Sequence, residues 1–225
     1  MNQTSRSSTF PTPDYSHLSV TDFDDIYEPA EDSFLLLDAL EKDVDFLNSL
    51  SPLICLEVGC GSGIVITFLR QILVAPCLCL AVDRNPKAAQ CTMRTGEQNH
   101  VQVEVVTSDL LNSFQPKLDG KVDVLVFNPP YVVTPPEEVE VDGLARSWAG
   151  GINGRQVLDR LLPDVHKLLS PKAVFYLVTT EENRPDEIKQ LLQQDGFHST
   201  TVLQRKSGPE RLSVIKFERR LTAVT

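Results

Sequence analysis

Short apolar runs alternate with amphipathic stretches along this chain. Leu53–Val58, Leu78–Val82, Val101–Val106, Val122–Phe127 and Ala173–Thr179 are largely apolar, with the length and β-branched content of buried strands. Between them, Ile64, Val65, Phe68, Leu69, Ile72 and Leu73 recur at helical spacing. So do Val157, Leu158, Leu161, Leu162, Val165, Leu168 and Leu169. Pro29 opens a predicted helix to about Leu47, with Glu31 and Asp32 in the first turn, where the helix dipole favours carboxylates. Further helices are predicted over Pro86–Gln98 and Pro185–Asp195, the latter stopped by Gly196. Strands and helices in alternation predict a parallel sheet covered on both faces. Thr200–Arg205 and Leu212–Phe217 break the rhythm. Lys206–Glu210 between them is too short for a helical crossover, so these two strands pair antiparallel. The expected fold is α/β and Rossmann-like: a seven-stranded, mostly parallel sheet with one antiparallel strand. Residues 1–22, rich in Ser, Thr and Pro at their start, read as a flexible lead, and 23–220 as the domain.

Charge changes this picture in one respect. The 225 residues carry a net charge of −10, and most of it sits early. Residues 1–48 hold Arg6 and Lys42 against eleven carboxylates, and the remainder is nearly neutral. No basic field exists to neutralise a phosphate backbone, so direct nucleic-acid binding is disfavoured. No uncharged run approaches the ~20 residues of a membrane-spanning helix. The five cysteines form no C-x-x-C pair and the four histidines are scattered. No zinc-type spacing appears, and the expectation is a reduced, metal-free chain in the cytoplasm, with the nucleus also open. Cys77 and Cys79, two apart on a predicted strand, read as small buried thiols.

In an open α/β sheet, ligands bind beyond the carboxyl ends of the strands. Four successive strand ends here carry chemistry. The first reads Glu57-Val58-Gly59-Cys60-Gly61-Ser62-Gly63, which is not the dinucleotide G-x-G-x-x-G pattern. Its carboxylate would repel a pyrophosphate and attract a cationic cofactor. Asp83 ends the second strand, where an acid accepts both hydroxyls of a ribose or caps the next helix. Ser108-Asp109-Leu110 follows the third and offers a carboxylate and backbone to an adenine edge. Asn128-Pro129-Pro130-Tyr131 ends the fourth.

Together with Tyr27-Glu28-Pro29-Ala30-Glu31-Asp32-Ser33 and Ser147-Trp148-Ala149-Gly150-Gly151-Ile152-Asn153-Gly154, these segments resemble the HemK-like release-factor glutamine methyltransferases, eukaryotic branch. These are class I S-adenosylmethionine-dependent enzymes. The similarity runs from about residue 23 to 218. It implies that Glu57, Gly59, Gly61 and Gly63 line the methionine part of S-adenosyl-L-methionine. Ser33 would contact its methionine end, Asp83 its ribose, and Asp109 with Leu110 its adenine; S-adenosyl-L-homocysteine is the product. Asn128, with Pro129, Pro130 and Tyr131, would form the catalytic corner beside the cofactor. Cys60 reads as a tolerated small residue. The family also implies a small zinc-binding activator subunit, docked on the apolar edge strand 101–106 to form a heterodimer.

An amide nitrogen is a poor nucleophile because its lone pair is delocalised into the carbonyl. Two acceptors, the Asn128 side-chain oxygen and the Pro129 carbonyl, would hold its two N–H groups in line with a methyl donor. Prolines at 129 and 130 fix φ and pre-aim that carbonyl, and Tyr131 would pack on the planar group. The same logic serves adenine N6. The segment Val132–Arg155, with Pro135-Pro136, Glu137, Glu138, Glu140, Asp142 and the sole tryptophan, Trp148, reads as a substrate-gripping loop. The resemblance implies N5-methylation of the glutamine in the Gly-Gly-Gln motif of a class 1 release factor. The alternatives are a histone or other protein lysine methyltransferase, an N6-adenine DNA methyltransferase, and a catalytically silent binding scaffold.

Overall fold

In the computed structural model, residues 10–219 apart from Asp142 are described. Their order begins with α1 (Val20–Phe23), α2 (Glu31–Lys42), α3 (Val44–Leu50), β1 (Ile54–Val58), α4 (Ile64–Ile72) and β2 (Leu78–Asp83). There follow α5 (Pro86–Gln98), β3 (Glu104–Thr107), β4 (Val122–Phe127), α6 (Gln156–Leu168), β5 (Leu169–Thr179), α7 (Pro185–Gln194), β6 (Phe197–Ser207) and β7 (Glu210–Arg219). The sheet order is β3-β2-β1-β4-β5-β7-β6. Among the described strands only β7 runs against its neighbours, β5 and β6.

Alternation along each strand divides the core in two. Cys55, Cys79, Ala81, Val124 and Val126 face α2 and α4. Leu56, Val58, Leu80, Val82, Leu125 and Phe127 face α6 and α7. All six residues of β4 are buried, as a strand between two helical layers requires. Among the described residues no helix is long and apolar enough to cross a membrane.

Four expectations need correction. The helix expected over 29–47 starts at Glu31 and is cut at Asp43 (φ −96°, ψ 15°). There the Asp43 carboxylate accepts from the Tyr176 hydroxyl at 2.9 Å and pairs with Lys216 at 3.0 Å. Strand 101–106 pairs only over 104–107. His100 leaves α5 with φ 56°, and the Val101 N–H closes that helix on the Gly96 carbonyl at 2.8 Å. The terminal hairpin is longer than expected, because its turn needs only Gly208 and Pro209.

The lead expected to be flexible is packed from residue 10 onward. The Phe10 ring meets Phe68 edge-on at 6.5 Å. Asp14 bonds Gln98 at the end of α5 and Asn99 just beyond it, and Ser19 caps α1 through a capping box. Residues 1–9 lie outside the described set. The acidic excess of this segment is also partly met by the body. Asp22 pairs with Arg94, Asp25 with Lys87, and Glu31 and Asp38 with Arg205.

Candidate active site

The carboxyl ends of β1, β2 and β4, with the turn after β3, open into one cavity of about 420 Å³. That volume suits a ligand of nucleoside size. The bend after β1 is a chain of left-handed residues, with φ of +68° at Gly59, +49° at Gly61 and +80° at Gly63, which glycine adopts without steric cost. Its first two amides, of Gly59 and Cys60, donate to the Val82 carbonyl, and the Gly61 N–H donates to Asp83 Oδ2 at 3.1 Å. Asp83 Oδ1 takes the Asn85 N–H at 2.8 Å. The reading of Asp83 as a turn anchor and the reading as a ligand acid are therefore compatible, since each oxygen keeps a lone pair.

Glu57 is 2% exposed and accepts the Ile66 N–H at 2.9 Å, tying the first turn of α4 to the end of β1. Burial pushes its carboxyl well above the usual range, opposed by the Ile66 N–H and reinforced by the Asp83 charge. Burial raises Asp83 as well, against the amides of Asn85, Gly61 and Arg84. Two carboxylates whose charged forms burial disfavours suit a ligand that brings positive charge with it. Burial, followed by the Asp83 and Glu57 charges, raises the Cys60 thiol, so it is no nucleophile.

Asn128, at the end of β4, lines the same cavity. Its Nδ2 donates to Asp32 Oδ2 at 2.8 Å, while its Oδ1 is buried without a hydrogen-bond partner. Asp32, 2% exposed, also receives the Ser33 N–H at 2.8 Å and the Tyr27 hydroxyl at 3.2 Å on Oδ1. The carboxylate thus fixes which way the Asn128 amide faces and leaves its oxygen as an unsatisfied acceptor. Ser33, Asp109, Leu110, Pro129 and Pro130 line the same cavity. The Asp109 carboxylate is held by Arg160, and Leu110 sits at φ +48°.

The chain matches the family model described as Methyltransferase small domain over residues 31–142. It is 51% identical over 209 residues to the Methyltransferase HEMK2 of Mus musculus, covering 93% of this chain and 97% of that protein. It is 38% identical to the eRF1 methyltransferase catalytic subunit mtq2 of Schizosaccharomyces pombe, covering 92% and 95%. The solved E. cuniculi Mtq2–Trm112 complex, described as responsible for methylation of the eRF1 translation termination factor, superposes with a TM-score of 0.65. That match is at 30% identity and covers 86% of this chain and 98% of that one. The chain belongs to the eukaryotic HemK-like methyltransferases. It is an S-adenosylmethionine-dependent enzyme of class I fold. The cavity fits that cofactor on its own terms, with its buried acids for a sulfonium-bearing ligand and its glycine bend for close backbone approach.

Two residues assigned to the site stand behind the cavity wall. Gly63 does not line the cavity. A Cβ there would stand 2.6 Å from Thr92 Cα, so this glycine lets α4 approach α5. Tyr131 is buried behind the corner beside Tyr27, Asp32 and Glu210; burial, then the Asp32 charge, raises its hydroxyl. It braces Asp32 rather than facing the cavity.

The segment 132–155 makes two sets of contacts. Its first half folds over the cavity through Val139, Glu140, Gly143, Arg146 and Ser147, and Glu140 reaches Arg84 across the mouth at 3.2 Å. Its second half supports the corner. Val132 N–H donates to the Trp148 carbonyl at 2.9 Å, and Gly150 N–H to that of Val132 at 2.8 Å. A Cβ on Gly150 would meet the Pro130 carbonyl at 2.5 Å, and one on Gly154 the Tyr131 carbonyl at 1.9 Å. Asn183, 1% exposed, donates through Nδ2 to the carbonyls of Tyr131 (2.8 Å), Asn153 (3.0 Å) and Gly154 (3.3 Å). Sequence reasoning placed Asp32 only as a dipole partner and did not find Asn183. The position of Asp32 within the Tyr27–Ser33 motif was the available signal for the first. Nothing local marked the second.

Proposed function

We propose that this enzyme methylates the side-chain amide nitrogen of glutamine in the Gly-Gly-Gln motif of a class 1 translation release factor. In this reading it acts with a small zinc-binding activator subunit, seated on the edge strand β3. The observation that carries the reading is the Asn128 amide, with its nitrogen tied to Asp32 and its oxygen buried and unpaired.

A planar NH2 group entering the cavity satisfies that oxygen with one N–H. Its second N–H goes to the Pro129 carbonyl, whose direction the two prolines and the Gly150–Gly154 support hold fixed. Both N–H bonds then lie in the plane of the pair of acceptors, and the nitrogen lone pair is directed out of it. S-adenosylmethionine, when bound, supplies an electrophilic methyl on a cationic sulfur. Glu57 and Asp83 would hold it from the β1 and β2 side, and Ser33, Asp109 and Leu110 would position its two ends. The corner is left to align the nitrogen; once methylated that nitrogen is cationic and strongly acidic and gives its extra proton to solvent, so catalysis is chiefly proximity and orientation with no strong base. As the bound nitrogen gains positive character its N–H bonds to Asn128 and Pro129 strengthen, which favours the transition state over the ground state.

The geometry also admits adenine N6, but the net charge of −10 argues for protein. The test is mass spectrometry of a release factor incubated with labelled cofactor and the reconstituted heterodimer. The reading predicts one methyl on the Gly-Gly-Gln glutamine. Label on lysine or on DNA adenine with that glutamine untouched would overturn it.

A further inference from the structure

At the end of the sheet opposite the cavity, three cysteines that are scattered in the sequence converge. The register of β1 with β2 sets Cys55 beside Cys79. Cys77, just before β2, places its Sγ 3.6 Å from that of Cys79. The three sulfurs all lie within 4.8 Å of one another, and no other Cys, His, Asp or Glu joins them among the described residues. Cys55 and Cys79 are buried and Cys77 is half-buried, so the cluster has a single open side. None of the three lines the methyltransferase cavity.

We propose that Cys55, Cys77 and Cys79 form a three-thiolate site for a soft monovalent d10 ion, copper(I). Trigonal coordination at a metal–sulfur distance of about 2.3 Å sets the sulfurs about 4 Å apart, which the cluster already approaches. A structural zinc site takes four protein ligands and closes around the ion; this one offers three. Thiolates favour copper(I), zinc and iron–sulfur clusters, and of these copper(I) is the one that three sulfurs alone can complete. Cys77, the half-buried member, meets an ion arriving from the open side. Binding exchanges thiol protons for the ion, with no change in oxidation state. The site is independent of the methyl-transfer reading, because it uses other residues at the other end of the sheet.

The test is anaerobic titration of the full-length protein with copper(I) against a chromogenic chelator, followed by X-ray absorption. One ion per chain, three sulfurs around it and a raised melting temperature are expected. Cys77→Ser, at the half-buried position, should keep the apo melting temperature and weaken binding by about tenfold or more. Cys91→Ser, outside the cluster, should leave it unchanged. Failure to compete with the chelator, two-sulfur coordination, an unaltered affinity in Cys77→Ser, or tighter retention of zinc than of copper(I) would each overturn the assignment.

Discussion

The bend after β1 turns on glycines at positive φ, whereas the corner after β4 turns on two prolines held from outside. Gly59 and Gly61 keep their conformation through contacts to the adjacent strand β2, on the Val82 carbonyl and the Asp83 carboxylate. The Asn128–Tyr131 corner depends on Asp32 in front of it and on Gly150, Gly154 and Asn183 behind it. The first element accommodates a ligand; the second must aim two oxygens. Accommodation needs backbone freedom and close approach. Aiming needs rigidity, and rigidity at a chain reversal comes from many contacts with distant parts of the molecule.

That contrast sets the size of what each substitution should do. Gly154→Ala places a methyl 1.9 Å from the Tyr131 carbonyl at φ +64°, and should cost more than about 3 kcal/mol in urea unfolding. Gly61→Ala meets nothing within 4 Å at φ +49°, and should cost about 1 kcal/mol. Equal costs would remove the distinction between the two corners.

Asp32→Asn is the next largest. Both oxygens of Asp32 act as acceptors, and an amide offers only one. Its NH2 must therefore oppose either Asn128 or the Tyr27–Ser33 pair. Turnover should fall about 10- to 100-fold with cofactor affinity changed less, as steady-state kinetics and calorimetry would show; a matched loss in both would place Asp32 on the cofactor side. Asp83→Ala belongs to the other corner. It should weaken the cofactor by about tenfold in calorimetry and leave saturated turnover comparatively intact.

The smallest effect is protonic. Burial raises Glu57 and Asp83 in the free protein, so a cationic ligand should favour their charged forms and, within that raised range, expel protons on binding. Affinity then climbs as pH rises through the raised range. The stability sign is opposite. With folded-state values above the unfolded ones, these groups stabilise the fold at low pH, and that contribution is lost as pH rises. Calorimetry in two buffers of different ionisation enthalpy reads the proton release, and identical heats would contradict it.

The difference between the corners also explains what was legible beforehand. The sheet, its order of elements and the reversed β7 followed from the apolar runs and from the short turn before that strand, because period-2 burial and loop length are local signals. The glycine bend and Asp83 were legible for the same reason. Asn183 was not, because an asparagine about fifty residues beyond the corner has no pattern that announces three carbonyl acceptors. The Gly150–Gly154 run was visible as a motif, but its purpose, clearance for the Pro130 and Tyr131 carbonyls, exists only in three dimensions. Gly63 shows the same limit. The resemblance grouped it with Gly59 and Gly61, and only the packed structure shows that its missing side chain makes room for Thr92. The cysteine cluster depends on the register of two strands, and spacing alone does not give register.

The central claim is that Asn128 acts on the incoming amide and not on the cofactor. Measuring cofactor affinity and single-turnover methyl transfer side by side in Asn128→Ala tests it most directly. Transfer should fall by about a thousandfold or more while the cofactor Kd stays within a few fold of the parent protein. Transfer within tenfold of the parent, or a loss explained wholly by weakened cofactor binding, would contradict the account.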